Sequence, residues 1–224
     1  MQHAGNIKEE HKVFIVDAHP SVCDALTQLI NMEKDLKVVG KEGEVPNALQ
    51  AIAEKKPDIV IVDLSLKNGS GISLIESLSY SNPELPVLVF SMNDESIYAE
   101  RCLNIGAKGY IMKKDPPEKI ISALRTILGG EIYLSDALTK SILHKFVNNK
   151  FKGSNSCTEI LGNRELEVYR LLGNGLKKEE ISAQLNISRN TLENNIRDIK
   201  RKMNLDSLRE IIVHAVRFNN RIIQ

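Results

Sequence analysis

The chain has 224 residues, 42% of them apolar, which predicts a globular protein of one large domain or two of ordinary size. No apolar run approaches the roughly 18 residues of a membrane span, and the polar start Met1 to Lys12 has no signal-peptide core, so a soluble cytoplasmic protein without a membrane partner is expected. The formal charge of +1 is unevenly spread, with 18 Lys/Arg against 20 Asp/Glu in residues 1–157 (net −2) and 12 against 9 in residues 158–224 (net +3).

From Lys12 to Leu128, short β-rich runs alternate with helical patterns, the mark of a parallel sheet wrapped by helices. The runs are Lys12 to Val16, Lys37 to Gly40, Ile59 to Val62, Val87 to Phe90 and Gly109 to Met112. Between them, Val22, Leu26, Leu29 and Ile30 fall at helical spacing within Ser21 to Asn31, as do Ile72, Ile75 and Leu78 further on. A helix from Pro116 to Leu128 should stop at Gly129-Gly130. Ser135 to Val147, with Leu138, Ile142, Leu143 and Phe146 in one stripe, reads as a connecting helix, and the polar Asn148 to Ser156 as a linker. The rest is helical: Arg164 to Gly173, Lys178 to Leu185, Arg189 to Met203 and Leu208 to Asn219.

Three of the apolar runs end on groups that can do chemistry. Asp17 closes Val13-Phe-Ile-Val, Asp63 closes Ile59-Val-Ile-Val, and Lys113 follows Gly109-Tyr-Ile-Met. Parallel strands open on one edge, so two carboxylates and an ammonium should converge there. A lone Asp after a strand is more often a turn or cap residue, and the reading rests on the combination. An independent nucleotide-binding enzyme fits poorly, because neither a Gly-x-x-x-x-Gly-Lys-Ser/Thr loop nor a Gly-x-Gly-x-x-Gly turn is present. Cys23, Cys102 and Cys157 are odd in number and far apart, which argues against a disulfide framework or a zinc cluster. His19 follows the acidic edge and reads equally as lining it or as a surface loop residue.

Val16-Asp-Ala-His-Pro20, Pro57-Asp-Ile-Val-Ile-Val-Asp63, Ser91-Met92 and Gly106-Ala-Lys-Gly-Tyr-Ile-Met-Lys113 together resemble the receiver domain of a response regulator. The remainder resembles a LuxR-type helix-turn-helix, and nearly the whole chain is similar to the NarL/FixJ family of two-domain transcription regulators. The resemblance implies a receiver over residues 10–130, a five-stranded, doubly wound parallel sheet of flavodoxin-like type. A connecting helix and linker over 131–157 and an all-α, four-helix DNA-binding domain over 158–224 would follow. It further implies that Asp63 accepts a phosphoryl group from a histidine kinase, with Lys113 as fixed cation, Ser91 as hydroxyl donor and Tyr110 as the aromatic whose position reports the state. Asp17, Asp63 and the Ser65 carbonyl would hold Mg2+.

Ala18 departs from the family, which usually has a second acid beside Asp17. Alanine offers no ligand, so a weak or absent metal site and impaired phosphorylation are expected, with a DNA-binding form accessible without it. Lys67 stands where proline commonly follows the acceptor by four residues. In the second half, Glu180 to Ser188 followed by Arg189 to Arg197 has the helix, tight turn, helix pattern, with Ser188 as cap and Ile181, Leu185, Ile187, Leu192, Ile196 and Ile199 inward. The resemblance places base readout around Glu193, Asn194 and Arg197, with Thr191, Lys200 and Arg201 nearer phosphate. The expected protein is a transcription regulator and not an enzyme, acting as a homodimer on promoter DNA. The alternatives are a phosphorylation-independent receiver controlled by protein contact or ligand, and a signalling adaptor whose helical tail binds protein.

Overall fold

The computed structural model describes residues 10–67, 69–147 and 160–220, and the chain divides into two compact units, Met1–Leu138 and Thr139–Gln224. The first contains strands β1 (His11–Val16), β2 (Leu36–Glu42), β3 (Ile59–Val62), β4 (Val87–Ser91) and β5 (Gly109–Met112). They form one sheet in the order β2-β1-β3-β4-β5, and every pairing is parallel. Parallel neighbours need crossovers, which carry α1 (Pro20–Asn31), α2 (Val45–Lys55), α3 (Gly71–Ser81), α4 (Glu95–Asn104) and, after β5, α5 (Glu118–Leu128).

The β-branched run of β3 is buried along its whole length, which is why it reads as continuous apolar sequence rather than as alternation. Val13, Ile15, Ile59, Ile61, Leu88 and Ile111 pack with Cys23, Leu26 and Ile30 of α1 and with Ile120, Leu124 and Ile127 of α5. The pleat turns Phe14, Val16, Val60, Val62, Val89 and Tyr110 to the opposite face, and these too are buried. Both faces of the sheet are therefore covered, as a doubly wound fold requires. The pairing of β1 with β2 slips between Val13 and Phe14, and Gly40 makes room there, since a Cβ at that position would run into the Phe14 ring.

Chain order reverses between β1 and β3, so the crevice beyond their carboxyl ends is the natural place for a site. Helix α5 stops at Gly129, and Gly130 takes the left-handed backbone (φ +88°) that favours glycine. The chain then returns to the sheet: Tyr133 bridges Gly109, its amide donating to Lys108 O at 2.9 Å while Tyr110 N donates to its carbonyl at 3.2 Å. Helix α6 (Asp136–Val147) follows, with Leu138 buried and Leu143 exposed. The expected linker, residues 148–156, lies outside the described residues, as does Cys157.

The second unit contains α7 (Asn163–Gly173), α8 (Lys178–Gln184), α9 (Arg189–Met203) and α10 (Leu208–Asn220). Its core joins Leu166, Val168, Tyr169 and Leu172 to Ile181, to Leu192, Ile196 and Ile199, and to Ile211 and Ala215. Leu185 and Ile187 are half-buried. Gly173 lets α7 approach α10 closely, because a Cβ there would lie 2.8 Å from that of Ala215. Of the apolar stripe on α10, Ile211 and Ala215 are core, whereas Val216 is exposed. Among the described residues no helix is long and apolar enough to cross a membrane.

Candidate functional site

The acidic pocket is built by continuing the sheet's hydrogen bonding past the strand ends. Asp63 N donates to Val16 O at 2.8 Å, Asp17 N to Glu42 O at 2.9 Å, and Lys113 N to Ser91 O at 2.8 Å. These bonds fix the backbone under each functional side chain and bring Asp17, Asp63, Ser91 and Lys113 to one edge. Gly71 holds the following loop, its amide donating to Leu64 O at 2.9 Å, and a Cβ there would collide with the Asp63 carbonyl.

Lys113 Nζ lies 2.6 Å from Asp17 Oδ2 and 2.7 Å from Asp63 Oδ2, with the lysine side chain 8% exposed and each acid 3%. Ser91 Oγ donates to Asp63 Oδ1 at 2.8 Å. Asp17 Oδ1 accepts from His19 N at 2.8 Å and faces His19 Nδ1 at 3.0 Å. All four carboxylate oxygens thus have protein neighbours, which two buried acids require if their charges are to be tolerated. The Cys23 thiol lies beneath, where burial and then the Asp17 charge push its pKa up.

A polar chain leads away from Asp63. Ser91 Oγ, which donates to the acid, accepts from Asn93 N at 3.4 Å, and the Asn93 carbonyl accepts from Tyr110 Oη at 2.8 Å. Tyr110 is 1% exposed, and burial drives its phenol pKa strongly upward, so the hydroxyl is a fixed donor. The loop between β4 and α4 is therefore latched at one end to the phosphoacceptor candidate and at the other to the aromatic switch candidate.

The ligand atoms of Asp17, His19 and Asp63 lie within 4.8 Å of one another, close enough to share one divalent ion. Ala18 adds none, and an ion here would share its carboxylates with Lys113, His19 and Ser91. The residues fit a weak Mg2+ site, completed by water or phosphate oxygen as Mg2+ commonly is. Ser65 sits exposed in the loop after Asp63. Ala18 instead lines a cavity of about 370 Å³ with Asp17, Lys41, Glu42, Asn47 and Lys67. Lys67 pins this loop to the β2–α2 connection, its amide donating to Gly43 O at 3.2 Å.

In the second unit Ser188 caps α9, its hydroxyl oxygen accepting from Thr191 N at 3.0 Å. At about 100° per residue, Glu193, Asn194, Arg197, Lys200 and Arg201 share one arc of α9, beside and beyond the stripe of core residues Leu192, Ile196 and Ile199, with Glu193 and Lys200 half-buried at its edge. Thr191 stands outside that arc in the first turn, its hydroxyl 2.8 Å from Ser188 Oγ. Arg201 pairs with Asp198 at 3.0 Å, and its side chain is 73% exposed. Lys202 points elsewhere, to Glu165 of α7 at 2.7 Å. Sequence pattern announces neither the Asn93 link between Ser91 and Tyr110 nor an ion pair from Lys178 Nζ to Glu193 Oε1 at 2.7 Å. Both join residues across loops whose course no periodicity encodes.

Residues 13–125 match the response regulator receiver domain, and residues 159–215 match the bacterial regulatory proteins of the luxR family. The chain is 34% identical over 210 residues to the oxygen regulatory protein NreC of Staphylococcus carnosus, covering 92% of this chain and 97% of that one. Among solved structures it resembles a LuxR-family two-component response regulator from Aurantimonas sp. SI85-9A1, with 27% identity, a TM-score of 0.58, and 62% of this chain and 99% of that one covered. It also resembles RcsB of Salmonella enterica serovar Typhimurium bound to the promoter P1flhDC in the presence of the phosphomimetic BeF3-. There the identity is 23% and the TM-score 0.61, over 91% of this chain and 98% of that one.

Proposed function

The chain belongs to the LuxR-type two-component response regulators, and from that premise we propose that Asp63 is the phosphoacceptor through which its receiver controls DNA binding by α9. Members are DNA-binding transcriptional regulators with a controlling receiver domain, and not enzymes. The observation that carries the proposal is the convergence of Lys113 and Ser91 on the two oxygens of a buried Asp63.

In the proposed transfer, an Asp63 oxygen attacks the phosphorus of a phosphohistidine on a histidine kinase. A P–O bond forms, the N–P bond breaks, and the electron pair leaves with the kinase imidazole. The difficulty is one anion attacking another, so fixed positive charge must offset the repulsion. Lys113 offers that charge from 2.7 Å, and Ser91 can turn its proton from Asp63 Oδ1 to a phosphoryl oxygen. A divalent ion held by Asp17 and Asp63 would add further positive charge. The change at Ser91 would reach Tyr110 through Asn93 and reshape the surface around α4. The output would be a homodimer that lays two α9 helices on neighbouring half-sites of promoter DNA; its structural relative RcsB has been solved as dimers bound to DNA.

A second reading is favoured by Ala18 and by the satisfied state of the acids: a receiver that reaches its DNA-binding form without phosphorylation, under control of protein contact or ligand. Intact-mass analysis after acetyl phosphate, with and without Mg2+, separates the two. The first reading expects one added phosphoryl group on the wild type, absent from Asp63→Asn. No adduct on the wild type, with uptake gained by Ala18→Asp, would instead locate the defect at the missing carboxylate and favour the second.

A further inference from the structure

Glu193 is an unexpected residue for a helix that enters a DNA groove. Duplex DNA carries about one negative charge per 1.7 Å of axis, and this carboxylate shares its arc of α9 with Asn194, Arg197 and Lys200. The structure gives it a counter-ion from outside the helix. Lys178, the first residue of α8, donates from Nζ to Glu193 Oε1 at 2.7 Å, spanning the turn between the two helices of the motif. That hydrogen bond, followed by the charges of Lys178, Arg189 and Lys200, holds the Glu193 carboxyl below its usual pKa. The side chains are 30% and 43% exposed, so the pair contributes little to folding, as exposed ion pairs generally do. It is nevertheless placed where DNA would lie.

We propose that Lys178 is a positioning residue for base readout, holding Oε1 of Glu193 so that Oε2 is presented to the N4 amino group of a cytosine in the major groove. Three physical effects combine. The lysine offsets the charge that phosphates would repel. It removes one of the two equivalent oxygens from competition, leaving a single acceptor with a set direction. It also limits the rotamers of a flexible side chain before DNA arrives, which lowers the entropy lost on binding. A carboxylate accepting from cytosine N4 is among the side-chain pairings that major-groove geometry permits. Specificity then depends on a residue of the supporting helix α8, and Lys178 and Glu193 act as one unit. This rests on the reading of α9 as a DNA reader.

The test is selection of a bound sequence from a random duplex library by the full chain at fixed salt, with and without acetyl phosphate. Wild type, Glu193→Gln, Lys178→Met, Lys178→Gln, Lys178→Arg and the double variant Lys178→Met with Glu193→Gln are compared, after circular dichroism has verified their helical content. The expected result is a cytosine preference in the wild type at one position, falling roughly tenfold in Glu193→Gln and in either neutral Lys178 variant. The double variant should lose no more than the singles, and Lys178→Arg should keep the preference. Retention of the wild-type preference in both Lys178→Met and Lys178→Gln overturns the positioning role while leaving the DNA reading intact. So does a change at a different base position. Failure of the wild type to enrich any sequence under either condition overturns the DNA reading itself, and this proposal with it.

Discussion

The two charged regions solve opposite electrostatic problems. At the sheet edge, Asp17, Asp63 and Lys113 are each at least nine-tenths buried, and every carboxylate oxygen has a neighbour from the protein. On α9, Arg197 and Arg201 stand in solvent, and the nearby ion pairs lie at the surface. Burial makes each interaction at the edge strong and each loss costly, because a stranded charge cannot be rehydrated without opening the fold. Exposure makes each interaction on α9 cheap to break and free to be exchanged for phosphate or base. A switch benefits from the first arrangement and a reader from the second.

The largest expected effect of a substitution lies at the edge. Lys113→Met leaves two buried carboxylates facing each other without their shared cation, and should destabilise the chain by about 3–5 kcal/mol in urea unfolding at neutral pH. A loss below about 1 kcal/mol would mean that solvent reaches the acids and that the contrast between the regions is overstated. Gly71→Ala comes next. Its methyl group meets the Asp63 carbonyl, and a loss of about 1–3 kcal/mol is expected as the loop shifts, read by the same unfolding curves.

On the arc of α9 proposed to read DNA, the effects should appear in binding and not in folding. Arg197→Ala should weaken binding to the selected duplex by about 1–3 kcal/mol and relax the preference at one base, whereas Lys200→Ala should lower the salt slope by about one without changing the preference. The smallest effect is expected at the exposed pair of Arg201 and Asp198. Arg201→Ala should change the unfolding free energy by less than about 0.5 kcal/mol, and a larger change would show that the second unit draws stability from its surface charges.

Much of this was legible in the sequence because burial leaves a plain signature. The runs ending at Asp17, Asp63 and Lys113 are apolar on both faces of a covered sheet, so their ends, and hence the edge where these three side chains meet, follow from the residue pattern. Ser188 announced its helix through its capping chemistry. Helices α2 and α4 were not singled out; α4 buries Ile97, Tyr98, Ala99 and Cys102 among charged neighbours, a weak stripe. The return of Tyr133 to β5 was missed because it adds only an isolated bridge. The hydrogen bonds of His19 to Asp17, the Asn93 link and the Lys178–Glu193 pair depend on loop geometry, which residue patterns do not carry.

The central claim, that chemistry at Asp63 governs what α9 does, is tested most directly by the affinity of the full chain for its selected duplex at fixed salt. Wild type and Asp63→Asn would be compared with and without acetyl phosphate and Mg2+. The account predicts that acetyl phosphate tightens binding by the wild type and leaves Asp63→Asn unchanged. Equal affinities for the wild type with and without acetyl phosphate would contradict phosphoryl control and leave the receiver answering to another input.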